Sequence, residues 1–158
     1  MADVVGLLEE AGVDFDVLEH ARTERAVDEA TALGIGAEEV AKTLVLVASS
    51  GNVRAVLPAS ERIDLHKVAA VLGVGGKSVH LASENELARD YPDFELGAVP
   101  PFGGREDQVI VDGGLAGRDS VVIEAGSHDR SVRLKAADLV RLTRAQVADI
   151  CREEPTAG

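Results

Sequence analysis

The chain has 158 residues, 46% hydrophobic and 28% charged, the balance of one ordinary globular domain; disorder, collagen-like repeats and low-complexity sequence are excluded. Sixteen Lys and Arg against 28 Asp and Glu leave a net charge of −12, so the long-range field repels polyanions. DNA is thereby excluded as a partner, and any RNA contact has to be local.

The first predicted element is a lid-like amphipathic helix in which Val4, Leu7, Leu8 and Ala11 share one side, with Asp3 near its start and Gly12 just past its end. Asp14 to Leu18 reads as a short strand with Phe15 and Val17 on one side, ending at Glu19-His20. Thr23 is the expected cap of a second helix carrying Ala26, Val27, Ala30 and Leu33 and stopped by Gly34, with a further turn at Ala37 to Val40. Lys42 to Val47 is dense in β-formers and apolar after Thr43, the pattern of a central strand buried on both faces. Gly51-Asn52 is expected to reverse the chain into Val53 to Leu57, giving an antiparallel hairpin closed before Pro58.

Asp64 is placed to cap a helix with Leu65, Val68, Ala69 and Leu72 inward, ended by Gly73 and followed by a strand at Ser78 to Leu81. Ser83 and Glu86 form a capping box for a helix ending near Tyr91-Pro92. After a loop from Asp93 to Asp107, strands are expected at Gln108 to Asp112, at Ser120 to Glu124 and around Val132 and Leu134. Thr143 and Gln146 read as the capping box of a last helix burying Val147, Ile150 and Cys151, before a fraying tail at 154–158. One domain over residues 1–153 follows, of α+β class: a curved, mixed and mostly antiparallel sheet or partial barrel flanked by short helices.

The motifs that are missing narrow the chemistry. There is no G-x-S-x-G elbow, Walker A sequence, H-E-x-x-H or dinucleotide G-x-G-x-x-G between strand and helix, and Gly73 to Gly76 reads as a helix stop. One cysteine and four scattered histidines make neither a disulfide framework nor a zinc spacing, so no metal or cofactor is implied. Apolar stretches such as Leu44 to Ala48 are far shorter than the ~20 residues of a membrane-spanning helix. Met1-Ala2-Asp3 begins no export signal, which makes the cytoplasm the expected location.

Two features remain: Lys42, and the loop Gly97-Ala98-Val99-Pro100-Pro101-Phe102-Gly103-Gly104. Consecutive prolines stiffen a backbone and flanking glycines let it approach a ligand, so the loop is a candidate bracket whose amides polarise a carbonyl. The plainer alternatives are a surface turn and a strand-end lysine with its ammonium in water. Cys151 reads as a small buried hydrophobe, His66 and His80 as bystanders, and Arg105 and Lys77 as candidate local cations near a pocket mouth.

The order His20…Thr23, Ala41-Lys42-Thr43-Leu44, Gly97 to Gly103, and Gly126-Ser127-His128-Asp129 resembles the YbaK/aminoacyl-tRNA-synthetase-associated domain family, which includes the prolyl-tRNA editing domains, over nearly the whole chain. The resemblance implies an α+β fold and hydrolysis of amino acids wrongly esterified to tRNA, without a protein nucleophile. By the same resemblance Lys42 matches the lysine that engages the terminal nucleotide, and Gly97 and Pro101 match a G-x-x-x-P loop. His20, Thr43, Ala98, Val99, Pro100, Phe102, Gly103, Gly126, His128 and Asp129 then become substrate-binding candidates. Pro100 departs from the Ser or Thr that studied proline editors tend to carry before the motif's proline. The implied partner is the acceptor end of an aminoacyl-tRNA, with a synthetase as candidate source of the RNA affinity that the acidic surface lacks. The alternative is a non-catalytic module of the same fold that binds an aminoacyl or nucleotide ligand or a synthetase. In either reading the Lys42 ammonium is expected to open into the same cleft as the loop.

Overall fold

The structure is a computed structural model that describes residues 4–23 and 25–153; Asp3 and the expected tail at 154–158 lie outside the described residues. The elements run α1 (Val4–Ala11), β1 (Phe15–Glu19), α2 (Ala26–Leu33), a 3-10 turn (Ala37–Glu39), β2 (Ala41–Ala48), β3 (Gly51–Pro58), α3 (Leu65–Leu72), β4 (His80–Leu81), α4 (Glu84–Asp90), β5 (Gln108–Asp112), α5 (Gly113–Ala116), β6 (Ser120–Glu124), β7 (Arg130–Lys135), α6 (Ala136–Thr143) and β8 (Gln146–Ala148).

The α+β class is as expected, but the strands divide into two sheets and no barrel closes among the described residues. Three strands, in the order β1-β7-β6, are antiparallel throughout. Five strands in the order β4-β2-β3-β5-β8 form the larger sheet, in which β3–β5 and β5–β8 are parallel and the other two pairs antiparallel. A parallel bridge between Val40 and Val122 joins the sheets. Between them Val56, Val109 and Val111 pack against Val121, Ile123, Val132 and Leu134, with Val4, Leu8 and Leu139 closing the ends. The other face of the larger sheet buries Leu46, Ala55, Leu57 and Ile110 under Val68 and Ala69 of α3. Under α2 a smaller cluster of Ala26, Ala30, Val40 and Val122 covers the outer face of the three-stranded sheet.

Structure and expectation agree where a side chain satisfies the backbone beside it. The Asp64 carboxylate accepts from the amides of His66 and Lys67, and Ser83 with Glu86 forms the expected capping box. Several other expectations are corrected. The central strand is β3, buried from Val53 to Pro58, whereas β2 has half-buried positions at Lys42, Thr43, Leu44 and Val47. The hairpin turns at Ser49-Ser50, because Gly51 already pairs with Ala48. Arg25, not Thr23, stands at the N-cap of α2; the Thr23 amide and hydroxyl both donate to the His128 carbonyl.

The C-terminal helix is absent from its expected place. The helix is α6, which stops where the expected one begins, at Arg144 with φ 52; Gln146–Ala148 then pairs in parallel with β5. Three residues are too few to display a strand's alternation, and the hydrogen bonds that define this one come from a distant segment. Cys151 consequently lies on an irregular segment bridged to Ile63, half-buried, not on a helical stripe.

Candidate active site

The Gly97 to Gly104 loop is no surface turn. Ala98 through Pro101 are buried, and Val99 packs with Val45 and Tyr91, which seats the loop on the β2 face that carries Val45. Its brace is Arg54, which pairs with Val45 across the hairpin and so shares that face. The Arg54 side chain is 1% exposed, and Nε meets the Asp107 carboxylate at 2.9 Å. Nη1 donates to the Pro100 carbonyl at 2.9 Å, and Nη2 to the carbonyls of Gly103 at 2.6 Å and Arg105 at 3.1 Å. The guanidinium lies 5.0 Å from the centre of the Tyr91 ring, whose hydroxyl donates to Asp107 at 2.6 Å.

A buried guanidinium is tolerated only when its donors are matched, and here the matching acceptors belong to the loop. Carbonyls are thus drawn inward. In a trans peptide the following N–H points the opposite way, so the Gly103 carbonyl on Arg54 turns the Gly104 amide away from it. The Gly97 and Val99 amides donate to no partner among the described residues. Gly97, Gly103 and Gly104 have φ of 82, 95 and 78, left-handed values that a side chain would strain.

A collar closes on this loop from the side. His128 Nε2 donates to the Leu96 carbonyl at 2.7 Å, and a Cβ placed on Gly97 would lie 3.5 Å from His128 Cε1. The His20 amide donates to the Asp129 carbonyl at 3.1 Å, while Arg22 pairs with Glu95 at 2.5 Å. Phe94 wedges between the two parts: a Cβ on Gly104 would meet its ring at 2.7 Å and one on Gly126 at 2.9 Å. The structure therefore brings together His20, Gly97 to Gly104, Gly126, His128 and Asp129. Thr43, between Ala41 and Val45 on alternating strand positions, faces the same side.

Behind the collar lies a buried polar group under α2. The Ser131 hydroxyl donates to the Glu29 carboxylate and stands 2.9 Å from His20 Nε2, while His20 Nδ1 donates to the Ala21 carbonyl at 2.8 Å. Glu124, 8% exposed, has its Oε2 without a hydrogen-bond partner among the described residues. Burial, reinforced by the nearby Glu29, pushes its carboxyl up to about 9, and burial also raises that of Glu29.

Lys42 does not join this assembly. It pairs with Leu57 and shares its strand face with Leu44 and Leu46, against α3, and its Nζ donates to the Glu61 carbonyl. Its ammonium and the loop thus occupy opposite faces of β2, contrary to the expected shared cleft. Burial holds the Lys42 pKa below the usual lysine value.

A family profile described as an aminoacyl-tRNA editing domain matches residues 20–142. The chain belongs to this family. A relative described as the multifunctional Ser/Thr-tRNA deacylase ProXp-y of Escherichia coli (strain K12) is 32% identical over 155 residues, covering 94% of this chain and 91% of the relative. Among solved structures, a candidate trans-editing enzyme for prolyl-tRNA synthetase superposes with a TM-score of 0.84 at 29% identity, over 95% of each chain. A hypothetical protein superposes with the same score at 25% identity, over 94% of this chain and 99% of that one.

Sequence reasoning about this editing domain missed Arg54, Glu29 and Glu124. Arg54 left a trace, a charge inside the apolar run Val53 to Leu57; Glu29 lies between Ala26 and Ala30 on the helix side expected to be apolar. Of the remaining candidates, Arg105 lines a cavity with Phe102, Gly103 and Gly104, beside the loop. It is bound to Asp107 and Asp90, and His66, Lys77 and His80 are exposed. The Cys151 thiol lines a separate cavity of about 380 Å³ with Asp112 and Asp149. Burial and the adjacent Asp112 push that thiol up to about 12, which removes it as a nucleophile at neutral pH.

Proposed function

We propose that this editing domain, extending through residue 153, is a trans-acting hydrolase that cleaves the ester of mischarged aminoacyl-tRNA, with the acyl group held on the loop side of β2. An aminoacyl ester is already activated, so catalysis needs chiefly positioning and donors for the developing oxyanion. Attack by water on the carbonyl carbon forms a C–O bond and the ester bond to the ribose breaks; the proton released by the water ends on the ribose oxygen. The Gly97 and Val99 amides are the oxyanion donors in this reading, with Pro101 and Pro100 holding them rigid. His20, Thr43, Ala98, Phe102, Gly103, Gly126, His128 and Asp129 form the walls. The observation that carries it is a G-x-x-x-P loop braced from below by Arg54 and set against His128, within a chain that matches the editing family over residues 20–142.

Lys42 grips the terminal nucleotide in this reading only by exchanging its bond to the Glu61 carbonyl for one to a phosphate or ribose oxygen. Such a charge-assisted contact contributes about 1.5–3 kcal/mol. The substrate is the acceptor end of an aminoacyl-tRNA; a synthetase supplies the RNA affinity that a net charge of −12 does not, in the cytoplasm where translation runs. That same charge favours the second reading, a non-catalytic module that binds an aminoacyl ligand or a synthetase. The purified chain is to be incubated with a panel of mischarged tRNAs, seryl and threonyl esters included, beside a Gly97→Val variant. At least one ester is expected to disappear faster than in buffer and to be spared by the variant. If every ester decays at the buffer rate, the hydrolase reading is wrong and the binding module replaces it.

A further inference from the structure

We propose that Arg54 is a positioning residue for deacylation: its buried guanidinium preorganises the Gly97 to Gly104 loop, though it lies behind the loop and touches no substrate. The inference rests on the hydrolase reading above and concerns how its loop is kept in a productive shape.

A charged residue at 1% exposure inside the middle strand of a sheet is expensive, and an apolar side chain of similar volume would generally serve stability as well or better. What an apolar residue lacks is the fork of donors. Arg54 spends one on Asp107 and three on carbonyls at Pro100, Gly103 and Arg105, which span the second half of the loop and the residue beyond it. The bonds to the Gly103 and Arg105 carbonyls fix two peptide planes and so the directions of the Gly104 and Glu106 amides. The Pro100–Pro101 peptide has no N–H of its own, so its carbonyl is the handle by which the protein can hold that plane.

The anchor is itself held. Asp107 receives Arg54 Nε, the Tyr91 hydroxyl and, on its other oxygen, Arg105 Nε at 2.9 Å, and the Tyr91 ring covers the guanidinium. Lysine at position 54 would keep the charge beside Asp107 but, as a point donor on a flexible stem, would not reproduce a planar fork that reaches three separated carbonyls. A displacement of ~1 Å in a positioning element costs up to ~100-fold in rate.

The test compares wild type, Arg54→Lys, Arg54→Ala and Asp107→Asn in steady-state deacylation of a mischarged tRNA and in hydrogen exchange of the loop amides. For Arg54→Lys kcat is expected to fall ~10- to 100-fold with KM within about twofold, and the Gly97 and Val99 amides to exchange faster. Guanidinium ion at millimolar concentration is expected to restore part of the Arg54→Ala rate and none of the Arg54→Lys rate, since only the alanine leaves the site vacant. Wild-type kcat in a folded Arg54→Lys protein overturns the proposal, as do unchanged loop exchange or an absence of guanidinium rescue. If the Arg54 variants do not fold, Asp107→Asn decides: slower kcat and faster loop exchange support the proposal, and wild-type values of either overturn it. A wild-type protein that hydrolyses nothing removes the hydrolase reading and this inference with it, whereas an active wild type with indifferent variants removes this inference alone.

Discussion

The Arg54 brace and the polar group beneath α2 are both buried, both include carboxyl groups and both adjoin the Gly97 loop, yet they solve burial in opposite ways. Around Arg54 opposite charges meet directly, and Asp107 is matched by Arg54, Tyr91 and Arg105. Beneath α2 lie two carboxyls, Glu29, which accepts from the Ser131 hydroxyl, and Glu124, whose Oε2 has no hydrogen-bond partner among the described residues and which retains its proton well above neutral pH. The first arrangement makes a fixed frame; the second makes a region whose charge depends on solvent pH.

Breaking the frame should have the largest effect. Asp107→Ala leaves Arg54 buried without its carboxylate and should destabilise the fold by about 3–5 kcal/mol in urea unfolding. A loss below ~1 kcal/mol would mean that solvent reaches the guanidinium and that the frame is looser than its geometry implies.

The second region should reveal itself through pH. The folded protein holds a proton on Glu124 that the unfolded chain releases above its ordinary value of 4.5, so raising the pH favours unfolding. This contribution is fully present below 4.5 and is lost progressively as the pH rises towards about 9, with a slope of at most ~1.4 kcal/mol per pH unit. Glu124→Gln, which mimics the protonated acid, should flatten that dependence between pH 5 and 9; an unaltered slope would place the titration elsewhere, with Glu29 the next group to test.

A smaller effect is expected where the regions meet. Gly126→Ala introduces a Cβ 2.9 Å from the Phe94 ring at a backbone φ of 98, and should cost about 1–3 kcal/mol as Phe94 shifts. Because the same ring abuts Gly104, the loop amides should change their chemical shifts as well; a shift confined to Gly126 and its neighbours would show the two regions to be mechanically independent.

What the sequence disclosed follows the range of the interactions involved. The Asp64 cap, the Ser83 box and the Gly34 and Gly73 helix stops are settled within a few residues and were legible. The β8 strand and the burial of Arg54 and Glu29 depend on segments far along the chain, and no local pattern announces them. For the site, the ordered motifs around Lys42, Gly97 and His128 located the family and the loop. The expectation of a shared cleft left unused the strand alternation that sets Lys42 with Leu44 and Leu46, apart from Thr43 and Val45. The bond from Lys42 to the Glu61 carbonyl puts that expectation to a physical test, since the lysine must release it before it can meet a nucleotide on the loop side.

The most direct measurement is an NMR titration of the whole chain with a non-hydrolysable amide analogue of aminoacyl-adenosine. The largest shifts are predicted at Gly97, Val99, Thr43 and His128, on the Val45 face of β2. Shifts confined to Glu61, Asp112 and Cys151, with the loop unmoved, would contradict the account and put the acyl group on the Lys42 side of the sheet.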